Sequence, residues 1–254
     1  MLPSERFSSR AADYARYRPG YPPAALALLR ARCGLAPQAQ VADIGSGTGL
    51  LTQSLLASGA QVFAVEPNDS MRAAAEKQLK GEAGFHSVKG SAESTTLPSL
   101  SIDLWVAGQA FHWFDVAASR CEALRIARPG ACAALLWNER PADAGPFSLE
   151  YEALLRRYAP EYERIAATRA NEASMREFFG GTLELASFPN QQRFDLEGLR
   201  GRLMSSSYAP QAGQPGHEPL LRELRLLFER YQRGGRITFP YQTLLYFAPL
   251  KPLR

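Results

Sequence analysis

VADIGSGTGL, residues 41–50, sets Gly45, Gly47 and Gly49 between a short apolar run and a run of good helix formers. Glycine permits a tight turn there and lets a ligand reach the backbone without a Cβ in the way. The helix start beyond the turn offers unpaired amides to that ligand. The next apolar run, VFAVE (62–66), ends at Glu66. A carboxylate about twenty residues past the first glycine, at the end of a second strand, suits both hydroxyls of a ribose. A dinucleotide fingerprint needs a further glycine at position 50, where the chain has Leu50, so an NAD site is disfavoured. Asp43 puts a carboxylate inside an otherwise apolar strand, which is costly unless something pairs with it. A ligand ammonium or a structural donor are the two partners to weigh.

Outward from this loop, short β-rich runs alternate with helical stretches. VADI (41–44), VFAVE (62–66), FHSV (85–88), IDLWVA (102–107) and ACAALLW (131–137) read as strands. Residues 48–57, 70–79 and 116–127 read as helices, with Asp69 or Ser70 capping the second, Asp115 the third, and Pro129 and Gly130 closing it. This alternation predicts an α/β chain with a parallel sheet covered by helices on both faces. After Trp137 the pattern changes: 149–167 and 171–179 read as amphipathic helices, 182–194 as β, 196–204 and 220–233 as helices, and ITFPYQTLLYFAPL as a last strand. Pro240 within that run predicts an edge position or a break.

Composition narrows the function. With 46% hydrophobic and 21% charged residues the chain is an ordinary globular one. Its net charge of +4 is spread evenly rather than gathered into the basic stripe that phosphate binding needs. No apolar run approaches the roughly 18 residues of a membrane span, and the N-terminus lacks the apolar core of a signal peptide. The expectation is a cytoplasmic protein that binds neither nucleic acid nor membrane. Three cysteines without CxxC spacing and three scattered histidines predict no disulfide framework and no metal.

Five segments in order, DIGSGTG (43–49), VEPNDSM (65–71), GSAE (90–93), IDLWVAGQAFHWF (102–114) and LRIARPG (124–130), resemble the successive motifs of class I S-adenosylmethionine-dependent methyltransferases. YARYRPGYP (14–22) and QAFHWF (109–114), with weaker likeness at SSSYAP and YQTLLYF, resemble more narrowly the small-molecule group that includes trans-aconitate methyltransferase. The resemblance implies a Rossmann-like, doubly wound, seven-stranded and mostly parallel sheet with an antiparallel last strand and a helical insertion or cap. It implies one methyltransferase domain over 1–254: an N-terminal lid at 1–36, a cofactor-binding core at 37–138, a helical insertion at 139–181, and strands and helices at 182–254 that complete the sheet.

The resemblance also implies site residues. Gly45, Ser46 and Gly47 pass under the methionine part of S-adenosylmethionine, and Asp43 faces its amino group. Glu66 holds the ribose, Pro67, Asn68 and Met71 flank the adenine, and Ala92 and Glu93 meet its amino edge. Gln109 and Ala110 lie beside the sulfonium, and Tyr14 and Arg18 cover the cofactor from the lid. Each has a plainer reading: Met71 as core, Tyr14 as helix packing, Glu93 as a helix-start residue. His112 is a base, an orienting group or a structural residue. Phe111, Trp113 and Phe114 shape an acceptor pocket or pack the core. Arg156, Arg157, Arg164 and Arg169 either bind acceptor carboxylates or form a solvated helix face. The chain lacks the (D/N)PP(Y/F) motif of amino-group methylation of nucleic-acid bases, and it has no Pro-Cys pair for pyrimidine C5 chemistry. Small-molecule methylation, at a carboxylate or hydroxyl oxygen, is the expected activity; a catalytically silent or regulatory cofactor-binding relative is the alternative.

Overall fold

The computed structural model describes residues 16–141, 144–163 and 172–251. Its strands are β1 (Gln40–Ile44), β2 (Gln61–Val65), β3 (Phe85–Val88), β4 (Ile102–Gly108), β5 (Ala127–Glu139), β6 (Glu184–Phe194) and β7 (Ile237–Pro249). They form one sheet in the order β3-β2-β1-β4-β5-β7-β6. Strands β1 to β5 pair in parallel, and β7 runs antiparallel to both β5 and β6. This is the Rossmann-like, mostly parallel seven-stranded sheet with an antiparallel last strand. The strand order reverses at β1, so a crevice opens where β1 and β4 end side by side, the place where such sheets bind ligands.

Helices are α1 (Pro23–Arg32), α2 (Leu50–Leu56), α3 (Asp69–Gln78), α4 (Val116–Ile126), α5 (Pro146–Tyr158), α6 (Glu172–Phe179), α7 (Leu196–Met204) and α8 (His217–Tyr231). Successive strand residues point to opposite faces, and the core divides accordingly. Leu104 and Val106 of β4 join a buried cluster with Leu29 of α1 and Leu55 of α2, whereas Trp105 and Ala107 join one with Ile126 of α4 and Phe178 of α6. Both faces are therefore covered, which is why these strands read as continuous apolar runs.

Helix starts follow local chemistry. Asp115 Oδ1 accepts from Ala118 N at 2.9 Å, the predicted cap. At α3 the cap is Asn68, whose Oδ1 accepts from Met71 N at 2.9 Å, one residue ahead of the predicted Asp69. β5 begins at Ala127, so Pro129 and Gly130 lie within a strand where a helix end was expected.

Two expectations beyond Trp137 differ from the structure. β7 is neither broken nor an outer strand; its pairing with β5 ends at Gln242 opposite Glu139, and Pro240 lies past that point with only β6 as neighbour. The residue without an amide thus sits where only one side of the strand is paired. The insertion expected as one unit over 139–181 is divided. α6 packs through Met175, Phe178 and Phe179 on the sheet face, while α5 joins α7 and α8 in a third cluster built on Ile237, Phe239 and Tyr241 of β7. That third cluster raises a cap beside the strand ends. Among the described residues, no helix is long and apolar enough to cross a membrane.

Candidate active site

At the end of β1 the chain turns through Gly45, Gly47 and Gly49, all with positive φ. A Cβ on Gly45 would lie 2.7 Å from the Cβ of Ala110, whereas one on Gly47 would meet nothing within 4 Å. Gly45 is therefore required for packing against the end of β4, and Gly47 faces open space. The Glu66 carboxylate ties this loop to the end of β2: Oε2 accepts from Gly47 N at 2.9 Å and Oε1 from Asn68 N at 2.8 Å. Burial raises the Glu66 pKa, and these two amides hold it back.

Asp43 is fully buried. Its Oδ2 accepts from Thr52 Oγ1 at 2.6 Å, but Oδ1 has no partner, and neither have the buried Ser46 Oγ and Thr48 Oγ1. Burial pushes the Asp43 carboxyl up to about 7, opposed by Thr52 and reinforced by the charge of Glu66. The carboxylate reads as paired on one side and awaiting a donor on the other.

Across the crevice, Gln109 follows β4 with φ +59°, a left-handed conformation that costs energy for a residue with a side chain. Its amide donates to Leu136 O at 2.9 Å and its Nε2 to Asn138 O at 3.2 Å, which hold it there. Residues 17–21 run over the strand ends. Asn190 Nδ2 donates to Gly20 O at 2.9 Å, Asn138 Nδ2 to the same oxygen at 3.2 Å, and Gln192 Nε2 to Tyr17 O at 3.3 Å. Tyr21 lies so close over Gly108 that a Cβ there would come within 2.3 Å of its hydroxyl.

These parts enclose a cavity of about 740 Å³, counting its open mouth, lined on one side by Asp43, Ser46 and Gly47 and on the other by Arg18, Arg140, Arg202 and Tyr208. Arg140 Nε meets Glu152 Oε1 at 2.6 Å, and Nη2 donates to Tyr162 Oη at 2.8 Å. Arg202 is buried; its Nε donates to Tyr241 Oη at 2.8 Å and Nη1 to Ser206 Oγ at 3.1 Å. Among the described residues, no carboxylate forms an ion pair with Arg202.

The sequence-predicted residues divide. Asp43, Gly45, Ser46, Gly47, Gln109 and Arg18 line the cavity. Glu66 lies behind the glycine loop, bound to Gly47 N. Pro67 is exposed, Asn68 caps α3, and Met71, Ala92 and Ala110 are buried. The Glu93 carboxylate accepts from Asp115 N at 2.9 Å and Ser119 Oγ at 3.3 Å, so it serves the start of α4. Phe111 is 2% exposed and meets Phe114, Trp137 and Phe178 edge to face, a core residue rather than a cavity wall. His112 and Trp113 lie in a one-turn 3₁₀ helix with their rings in tilted contact, centroids 4.6 Å apart, and neither lines the cavity. Arg156 and Arg157 are exposed, paired with Glu163 and Glu223. Tyr14, Arg164 and Arg169 lie outside the described residues. Sequence reasoning missed Asn138, Arg140, Arg202 and Tyr208 as cavity residues and had Tyr21 only within YARYRPGYP; the signal for Tyr208 was SSSYAP, whose tyrosine it is.

A glycine loop at the end of β1, an acidic residue closing β2 and a crevice at the strand reversal are features that known proteins can be compared on. Residues 42–135 match the family described as Methyltransferase domain. The chain is 36% identical over 143 residues to an uncharacterised methyltransferase of Mycobacterium tuberculosis, covering 55% of this chain and 54% of that one. The chain thus spans about half the length of that relative in the match. An uncharacterised methyltransferase-like protein of Schizosaccharomyces pombe is 25% identical over 98% of this chain and 96% of its own. Among solved structures, one from Anaeromyxobacter dehalogenans, proposed to be a type II methyltransferase, superposes with a TM-score of 0.63 at 23% identity, covering 93% of this chain and 99% of that one. The methyltransferase domain match contains Asp43, the glycine loop, Glu66 and Gln109; Arg140, Arg202 and Tyr208 lie beyond it.

Proposed function

We propose that the protein is an S-adenosylmethionine-dependent methyltransferase that methylates a carboxylate or hydroxyl oxygen of a small molecule. The observation that carries this reading is the cavity itself, which joins a loop with an unpartnered buried carboxylate oxygen to a wall of three arginines. The donor half fits the cofactor. Asp43 Oδ1, Ser46 Oγ and Thr48 Oγ1 are buried polar atoms without protein partners, and the space over Gly47 is open. A ligand bearing an ammonium group satisfies Asp43, and ribose hydroxyls suit the remaining lone pairs of Glu66.

In this reading Asp43 holds the amino group, Glu66 the ribose, Asn68, Met71 and Ala92 border the adenine, and Gln109 and Ala110 flank the sulfonium. Arg18 pairs with the cofactor carboxylate or with the acceptor. S-adenosylmethionine supplies a methyl group on a positively charged sulfur, already activated for displacement. The chain's task is then to align the acceptor, exclude water and manage a proton where the acceptor carries one. Arg202, which is buried, and Arg140, which is partly buried, are both held by neighbouring side chains and favour an acceptor with an anionic group. The even surface charge supports a small molecule rather than nucleic acid.

The test is transfer of a labelled methyl group from S-adenosylmethionine to a panel of small carboxylic and hydroxy acids. Transfer to at least one acid supports the reading. Cofactor binding without transfer to any acceptor supports a catalytically silent relative instead.

A further inference from the structure

Tyr208 faces the cavity and has no part in the methyl transfer described above. It is 9% exposed, and its ring stands edge-on to Tyr162 with centroids 4.9 Å apart. Arg140 Nη1 donates to its hydroxyl oxygen at 3.4 Å, and Ser206 bonds the same phenol. Arg202 and Arg18 line the same cavity. Arg202 is fixed by Tyr241 and Ser206, and Arg18 donates to Ser205 O at 2.9 Å. Among the described residues no carboxylate pairs with Arg202, and Glu152, the carboxylate beside Arg140, is already held by Arg140 and Tyr162. A buried cation without an anionic partner is costly. Ionising a phenol beside Arg202 supplies a negative charge from within the chain.

We propose that Tyr208 is a catalytic base that takes the proton from an acceptor hydroxyl as its oxygen is methylated. The proposal rests on the methyltransferase reading and narrows it, because a carboxylate arrives without a proton to remove, whereas an alcohol, enol or phenol does not. The acceptor O–H bond breaks, its proton goes to the Tyr208 phenolate oxygen, and the oxygen lone pair forms the new bond to the methyl carbon. The electron pair of the broken sulfur–carbon bond stays on sulfur as a thioether, and neutral Tyr208 returns its proton to solvent.

The charged and titratable neighbours agree. Burial alone raises the Tyr208 phenol, but Arg140, Arg202 and Arg18 outweigh it and bring it down to about 7, against an ordinary value of about 10. Tyr151, buried in the same cluster, is pushed up, and Tyr162 is pushed up to about 12 by burial, with its hydroxyl committed to Glu152. Tyr241 donates to Gln192 Oε1 at 3.0 Å. A base that titrates near the working pH is the efficient kind.

The test needs no acceptor. Near-ultraviolet absorbance of the full chain is followed as pH rises, in wild type and in Tyr208→Phe, which keeps the ring. Wild type is expected to gain one tyrosinate in a step centred near about 7, and Tyr208→Phe to lack that step. Arg202→Gln is expected to move the step to higher pH. A wild type without tyrosinate until the ordinary range of about 10, or a step unchanged in Tyr208→Phe, overturns the proposal. Binding of S-adenosylhomocysteine is measured on the same samples. If it binds while the step is missing, only the base assignment falls; if it does not bind, the methyltransferase reading falls. On a hydroxyl acceptor, Tyr208→Phe is expected to lower turnover at least about a hundredfold, the scale of general-base catalysis, and turnover unchanged by the substitution contradicts the role.

Discussion

Gly47 donates its amide to Glu66 Oε2 at 2.9 Å, so the carboxylate that closes β2 also holds the glycine loop that closes β1. One side chain thereby ties the two strand ends together, where the proposed cofactor's ribose would lie. Removing it acts twice, on the ligand and on the loop. Glu66→Ala is expected to weaken S-adenosylhomocysteine binding more than tenfold, about 1.4 kcal/mol or more, measured by titration calorimetry. Unchanged affinity contradicts the ribose assignment.

Gly45 combines a φ of +65° with a Cβ position 2.7 Å from Ala110 Cβ. Gly45→Ala therefore meets left-handed strain of about 1–2 kcal/mol and a contact that the neighbouring turn must yield to. The expected result is a lower Tm together with weaker cofactor binding. At Gly47 a Cβ meets nothing within 4 Å in the protein, so Gly47→Ala is expected to lower binding by more than its effect on Tm implies.

Asp43 gives a pH signature. Burial raises its carboxyl to about 7 in the folded chain, above about 3.9 in the unfolded one. The folded state therefore holds the proton more tightly, and this contribution to stability is complete below about 3.9 and lost as pH rises through about 7. Asp43→Asn removes the titration while keeping the shape. Melting curves across this range are expected to show the variant gaining on wild type as pH rises; parallel curves contradict the buried-acid account.

Arg140 and Glu152 meet at 2.6 Å with side chains 10% and 18% exposed. Glu152→Gln leaves the guanidinium in place without its carboxylate, at a cost below the roughly 3–5 kcal/mol of breaking a fully buried pair. A marked fall in Tm is expected. With the Glu152 carboxylate gone from beside Arg140, the Tyr208 step is also expected to move to lower pH.

The glycine-loop side of the cavity was legible because it is local. Asp43, the glycine loop and Glu66 lie within one strand–loop–helix–strand unit, where spacing along the chain translates directly into position. The arginine wall was not, because its parts arrive from distant segments: Arg140 and Tyr208 are 68 residues apart in sequence. Arg202 sits in a run that reads only as a helix, and the fold alone places Tyr241 and Phe239 beside it. The aromatic run at 111–114 fits a pocket or a core equally well on composition. Packing against Phe178, on a helix from the far side of the insertion, decides for the core at Phe111. Pro240 marked a position paired on one side only, but how far β5 extends along β7 is not written in either strand alone.

The central claim is that this cavity takes S-adenosylmethionine. Titration calorimetry of the full chain with S-adenosylmethionine and S-adenosylhomocysteine, with NAD as control, tests it most directly. The account predicts micromolar binding of both adenosyl ligands and none of NAD. Failure of both adenosyl ligands to bind would contradict it, and the glycine loop would then be no more than a turn between a strand and a helix.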